Sequence, residues 1–125
     1  MRRRRASAAL LAGVVDVAAI AVFVAIGRSA HGHVVDLAGI ASTAWPFLAG
    51  AATGWLVARA WRRPTAAAPA VVIWFSCVGV GMVLRVVAGQ GTAAAFIGVA
   101  AGFLGLELFG WRLLGALARR RRTNP

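Results

Sequence analysis

Four apolar stretches dominate the chain, at 8–27, 34–58, 70–89 and 92–117, and each reaches the roughly 20 residues a helix needs to cross the hydrocarbon core of a bilayer. The links between them are short: 28–33, then 59–69 with Pro64 and Pro69 as helix breakers, then Gln90 and Gly91. Apolar runs of this length predict helices, and short links make successive helices run antiparallel. The pattern therefore predicts one all-α domain over 1–125, a four-helix transmembrane antiparallel bundle with basic tails at 1–7 and 118–125.

Composition excludes the soluble alternative, since 61% hydrophobic residues and a mean hydropathy of +0.80 exceed what a domain this small can bury. The net charge of +11 does not point to nucleic acid, because all fourteen cations are arginines gathered near the ends of apolar runs. Such clusters orient a membrane protein and contact anionic lipid headgroups. Twelve arginines lie with the N-terminus, the 59–69 link and the C-terminal end, and only Arg28 and Arg85 fall towards the other side. The positive-inside rule then places both termini in the cytoplasm. Arginine without lysine, beside abundant alanine, indicates a GC-rich prokaryotic genome and hence the cell membrane. The first run contains Asp16 and exceeds the usual length of a signal-peptide core, so it reads as a retained helix. Trp55, Trp61, Trp74 and Trp111 fall near the cytoplasmic interface, where indoles are favoured, and Trp45 lies near mid-membrane.

Helices in lipid pack closely through small residues, and Gly50-x-x-x-Gly54 and Gly98-x-x-x-Gly102 have that spacing. Both faces are expected to make close contacts, inside the chain or in a homo-oligomer. Pro46 removes the hydrogen bond to the Ser42 carbonyl and is expected to kink the second helix beside Trp45, as a plain bend or as a hinge or widened cavity.

Polar groups inside the spans carry the chemistry. A carboxylate near the middle of a span costs about 2.5 to 3.5 kcal/mol on insertion scales, which singles out Asp16 and Glu107. Both lie ~10 residues from the cytoplasmic ends, at similar depth for a rise of about 1.5 Å per residue. If the first and fourth helices are neighbours the two acids meet, and facing carboxylates do not both ionise easily. Such a pair serves either a proton relay or a neutral clasp. Arg112 follows Glu107 by five residues, a poor same-face spacing, and reads as a side chain snorkelling to the headgroups.

Arg85 lies several residues inside the outer boundary, with Cys77, Gly81 and Gly89 along its face. The groove suits an anion or a partner helix, and Asp36, Asp16 and Glu107 are its possible partners. Cys77 itself reads as a small buried packing residue. Arg28, His31, His33 and Asp36 form an outer polar cluster. His-x-His supplies half a metal site at best, so no metal or cofactor is expected. Asp36 complements the dipole of the second helix, Gly89 ends the third and Thr92 caps the fourth.

Asp16, Gly27-Arg28-Ser29-Ala30-His31, Trp45-Pro46-Phe47, Gly54-Trp55, Arg85, Gly89-Gln90-Gly91-Thr92-Ala93 and Gly110-Trp111-Arg112 together resemble the prokaryotic domain-of-unknown-function family numbered 3054. The resemblance spans nearly the whole chain and implies a small integral protein of the cell membrane, with no activity or catalytic residue attached. Two function classes follow from the residues themselves. One is a proton-coupled transporter or channel-like oligomer with Asp16, Glu107 and Arg85 along its path, dimerising through the Gly50/Gly54 or Gly98/Gly102 face. The other is a non-catalytic scaffold or accessory subunit, associating with itself or a membrane partner, whose polar residues only tie helices together. No Ser/His/Asp set, carboxylate cluster for two metals or nucleotide loop marks an enzyme.

Overall fold

The computed structural model describes residues 2–33, 35–90 and 94–123. Four helices follow one another: α1 (Arg2–Ala30), α2 (Leu37–Ala58), α3 (Ala67–Val87) and α4 (Ala94–Thr123), with a short 3-10 turn at Ala60–Arg62 between α2 and α3. All four are long and apolar enough to cross a membrane, and the protein is a multi-pass membrane protein. Helices α1 and α4 continue beyond the apolar limits at 8 and 117 into the arginine runs. Arginine is a good helix former, so hydropathy marks where a chain leaves lipid and not where its helical hydrogen bonding stops. α2 starts three residues later than its apolar run, because Asp36 acts as N-cap and its Oδ1 accepts from the Gly39 N–H at 2.7 Å. Val34, Gly91 and Thr92, where helix starts and a turn were expected, lie outside the described residues.

α1 packs on α2, α2 on α3, α3 on α4 and α4 back on α1. The helices thus form a ring in which α1 and α3 lie on one diagonal and α2 and α4 on the other. The antiparallel order puts both termini and the 59–66 link at one end, the basic end, and the α1–α2 and α3–α4 links at the other.

The α2–α3 pair is the closest, because its glycines admit backbone contact. A Cβ on Gly50 would stand 2.6 Å from the Ser76 carbonyl oxygen, and one on Gly54 would stand 2.7 Å from the Ile73 Cα. Ser76 Oγ then donates to the Gly50 carbonyl at 2.7 Å, and the buried Cys77 Sγ to the Phe47 carbonyl at 3.4 Å. The glycine pair of α4 behaves otherwise. Gly98 and Gly102 are exposed, and a Cβ on either would meet nothing within 4 Å. The glycine of α4 that meets a neighbour is Gly105, where a Cβ would lie 3.0 Å from Trp74 Nε1. That indole donates to the Ala101 carbonyl at 2.8 Å, so α4 turns its 101/105 edge, and not its 98/102 edge, towards α3.

Phe23 and Phe47 stack edge to face with centroids 5.6 Å apart, above a core that includes Ile20, Ile73, Leu104 and Leu108. Leu10, Leu37, Val87 and Leu106 instead point outwards. Large apolar side chains outside and small residues at the closest helix contact are what lipid as solvent favours.

α2 runs through Pro46 without ending. The Ser42 carbonyl, which the proline cannot bond, accepts from Gln90 Nε2 of the α3–α4 link at 3.1 Å. The expected hinge is therefore a tied position, its loose acceptor satisfied from another part of the bundle.

Candidate functional site

Asp16 and Arg112 are the buried charged residues among those described, at 2% and 4% exposure. They meet across the α1–α4 seam near the basic end. Arg112 Nη1 donates to Asp16 Oδ1 at 3.0 Å and Nη2 to Oδ2 at 2.8 Å, a bidentate pairing of two planar groups. Trp111 Nε1 donates to Oδ1 and Trp55 Nε1 to Oδ2, both at 2.9 Å. Each carboxylate oxygen thus accepts from one guanidinium nitrogen and one indole, which fills the lone-pair sites available in the carboxylate plane. Arg112 is held from behind as well: Nε donates to the Pro64 carbonyl at 2.9 Å, Nη1 to the Leu108 carbonyl at 3.0 Å, and the guanidinium carbon lies 4.5 Å from the centre of the Trp111 ring. The cluster joins α1, α2, α4 and the 59–66 link in one polar knot.

This corrects the expectation that Arg112 snorkels outwards and that Asp16 meets Glu107. α1 and α4 are neighbours, but the acid of α1 finds the arginine of α4. A helical side chain leans towards the N-terminus of its own helix. In antiparallel neighbours Asp16 therefore leans towards the basic end while Arg112 leans away from it, back along α4 to the Leu108 carbonyl. The two leans close their difference in depth. Glu107 remains beside this knot, on α4 between Phe103, which packs on Phe23 of α1, and Trp111. Its Oε1 is buried with no hydrogen-bond partner among the described residues. Trp55, Trp74 and Trp111 also depart from a simple interfacial belt, since their N–H groups turn inwards to Asp16 and to Ala101. One signal for the pair was present in the sequence: Asp16 and Arg112 each interrupt an apolar run, in helices whose link lengths bring them together.

The other end of the bundle gathers a second set of polar residues. α1 and α3 terminate in the same way, with Gly32 at φ +72° and Gly89 at φ +74°. His33 N–H bonds to the Arg28 carbonyl and Gly32 N–H to that of Ser29, as Gln90 N–H bonds to the Arg85 carbonyl and Gly89 N–H to that of Val86. Both are Schellman caps, and Arg28 and Arg85 occupy the same place in each. The shared spelling, Arg-x-x-x-Gly followed by a polar residue, is legible in the chain but emerges only once the two caps are compared.

From these places Arg28 Nη1 donates to Thr43 Oγ1 at 3.0 Å. Arg85 donates to the Gln90 side-chain oxygen at 3.2 Å and to the Gln90 carbonyl at 3.1 Å, with its guanidinium carbon 4.4 Å from the centre of the Phe96 ring. Both arginines line one cavity of about 640 Å³, together with the exposed His31 and His33. Asp36 stands behind Arg28 at the start of α2, where its Oδ1 and the Arg28 guanidinium both crowd Gly39. The Asp36 carboxylate serves as the helix cap.

A family model described as "Protein of unknown function (DUF3054)" matches residues 13–115. The chain belongs to that family. The matched stretch contains Asp16, Trp55, Trp111 and Arg112 of the knot and Arg28, Arg85 and Gln90 of the opposite end, and it leaves out the arginine runs at 2–5 and 119–122. Comparison with curated proteins and with solved structures gives no match.

Proposed function

We propose that this DUF3054 member is a non-catalytic membrane scaffold or accessory subunit, a four-helix frame whose buried charges tie helices together. One observation carries the reading: the Asp16 carboxylate accepts two guanidinium and two indole hydrogen bonds, so a proton or solute taken up there has to break a fully satisfied ion pair. A proton carrier needs a carboxyl group with a free position, which Asp16 does not offer. The uneven distribution of arginines supports a cytoplasmic orientation for the basic end, against anionic headgroups of the cell membrane. The exposed Gly98/Gly102 edge of α4 is the surface for close approach of a second copy or a membrane partner. The Gly50/Gly54 face is already occupied by α3.

The test pairs stability with flux. Removing one partner of a buried ion pair costs about 3–5 kcal/mol, whereas replacing both by apolar residues is close to neutral. Asp16→Asn is expected to lower the melting temperature in detergent sharply, and the double variant Asp16→Leu/Arg112→Met to recover most of it. Liposomes containing the wild type and a pH-sensitive dye are expected to match empty liposomes under an imposed proton gradient. Proton flux through the wild type that disappears in folded Asp16→Asn or Glu107→Gln would reverse the assignment in favour of a carrier.

A further inference from the structure

Glu107 is the second acid of the spans, and the knot leaves it out. It lies near the middle of the span Phe96–Arg121, and its neighbours one turn away on either side, Phe103 and Trp111, both engage α1. The residue is half-buried, yet its Oε1 is buried and has no hydrogen-bond partner among the described residues. An ionised carboxylate in that place is costly, because lipid and packed side chains supply no donor in exchange for water. The donors nearby are already committed. The indoles of Trp55 and Trp111 serve Asp16 and that of Trp74 serves the Ala101 carbonyl, and an indole has a single N–H. Arg112 gives Nε to Pro64, Nη1 to Leu108 and Asp16, and Nη2 to Asp16.

A protonated carboxyl asks less of these surroundings, since it carries its own donor and helical carbonyls keep a second lone pair to accept it. Asp16 and Glu107 therefore contrast within one seam: the first acid is held as the anion by guanidinium and indole donors, and the second is left without them. We propose that Glu107 is a proton-binding site, held as the neutral acid in the folded bundle, and that release of its proton loosens the α1–α4 seam beside the knot. The charged and titratable groups around it are accounted for. Asp16 on α1 and Arg112 on α4 engage each other, and α2 has none between Asp36 and Arg59. On α3, Cys77 is turned to the Phe47 carbonyl and Arg85 lies at the opposite end, while Arg59, Arg62 and Arg63 belong to the link at the basic end. With the Asp16 oxygens filled, no second carboxylate among the described residues stands ready beside Glu107 to take the proton on, so the site is a switch and not a relay. It does not rest on the scaffold reading: proton flux through the wild type would overturn that reading and leave this site in place.

Infrared spectra of the full chain in a detergent free of carbonyl groups test the site, because the C=O stretch of a carboxylic acid is separate from the carboxylate bands. The wild type at about pH 7, where an ordinary carboxyl is ionised, is expected to show that stretch and Glu107→Gln to lose it. A band absent from the wild type, or kept in Glu107→Gln, overturns the proposal. Labelling of the wild type with dicyclohexylcarbodiimide needs no variant. The acid's proton passes to a carbodiimide nitrogen, its oxygen bonds the central carbon, and rearrangement gives a stable N-acylurea that keeps every atom of both. Peptide mass spectrometry is expected to place the adduct on Glu107, and an adduct on Asp16 or on neither acid counts against the site. The switch has its own readout. The folded chain holds a proton that the unfolded chain gives up, so stability falls as pH rises. The wild type is expected to melt with Glu107→Gln at about pH 6 and several degrees below it at about pH 9; parallel melting curves overturn the switch.

Discussion

The Ser42 carbonyl shows how a single residue's chemistry is decided at a distance. Pro46 was legible as a removed hydrogen bond, because proline lacks an N–H and position 42 is four residues earlier. That Gln90 fills the vacancy was not, since 48 residues separate donor and acceptor. The pairing makes a two-residue prediction. Gln90→Leu leaves the carbonyl short of a donor and is expected to destabilise the protein by about 0.5–1.5 kcal/mol. In a Pro46→Ala background, where the helix supplies its own N–H, the same substitution is expected to cost well under half as much. A thermal-melting double-mutant cycle in detergent measures the difference, and equal costs in both backgrounds would remove the link. Asp16 was legible in the same partial way: its depth required a partner, and only the lean of side chains on antiparallel helices selected Arg112 over Glu107.

At the level of helices, the two GxxxG spacings look alike in sequence and differ completely in the bundle. Gly50 and Gly54 sit against α3 backbone, whereas Gly98 and Gly102 face outwards. Gly54→Val is therefore expected to force α2 from α3 and destabilise the fold by about 1–3 kcal/mol or more, the range for overpacking. Gly98→Val is expected to leave the melting temperature of the monomer within a degree or two. If dimers form, crosslinking of the reconstituted protein is expected to fall in Gly98→Val and Gly102→Val. Equal destabilisation by Gly54→Val and Gly98→Val would mean that α4 presents a different edge. Spacing reveals that a helix has a small-residue face, but the angle at which the helix is set into the ring decides what that face meets.

The whole molecule is polarised, with a closed ionic knot towards the basic end and an open, arginine-lined cavity at the other. The orientation proposed for it has a direct test. Cys77 is fully buried, so a cysteine introduced at an exposed position can be read with a membrane-impermeant maleimide in intact cells. His33→Cys is expected to label from outside and Ser7→Cys only after the membrane is opened; the reverse pattern would invert the topology. Helix number, antiparallel order and the uneven distribution of arginines were determined by sequence alone, because each depends on local hydropathy, link length and charge counted along the chain. Tertiary structure decided which polar groups meet. Asp16 reaching Arg112, Gln90 reaching Ser42, and Arg28 sharing a cavity with Arg85 all depend on helix rotation and relative depth, which are set by packing across the bundle and leave no periodic mark in the chain.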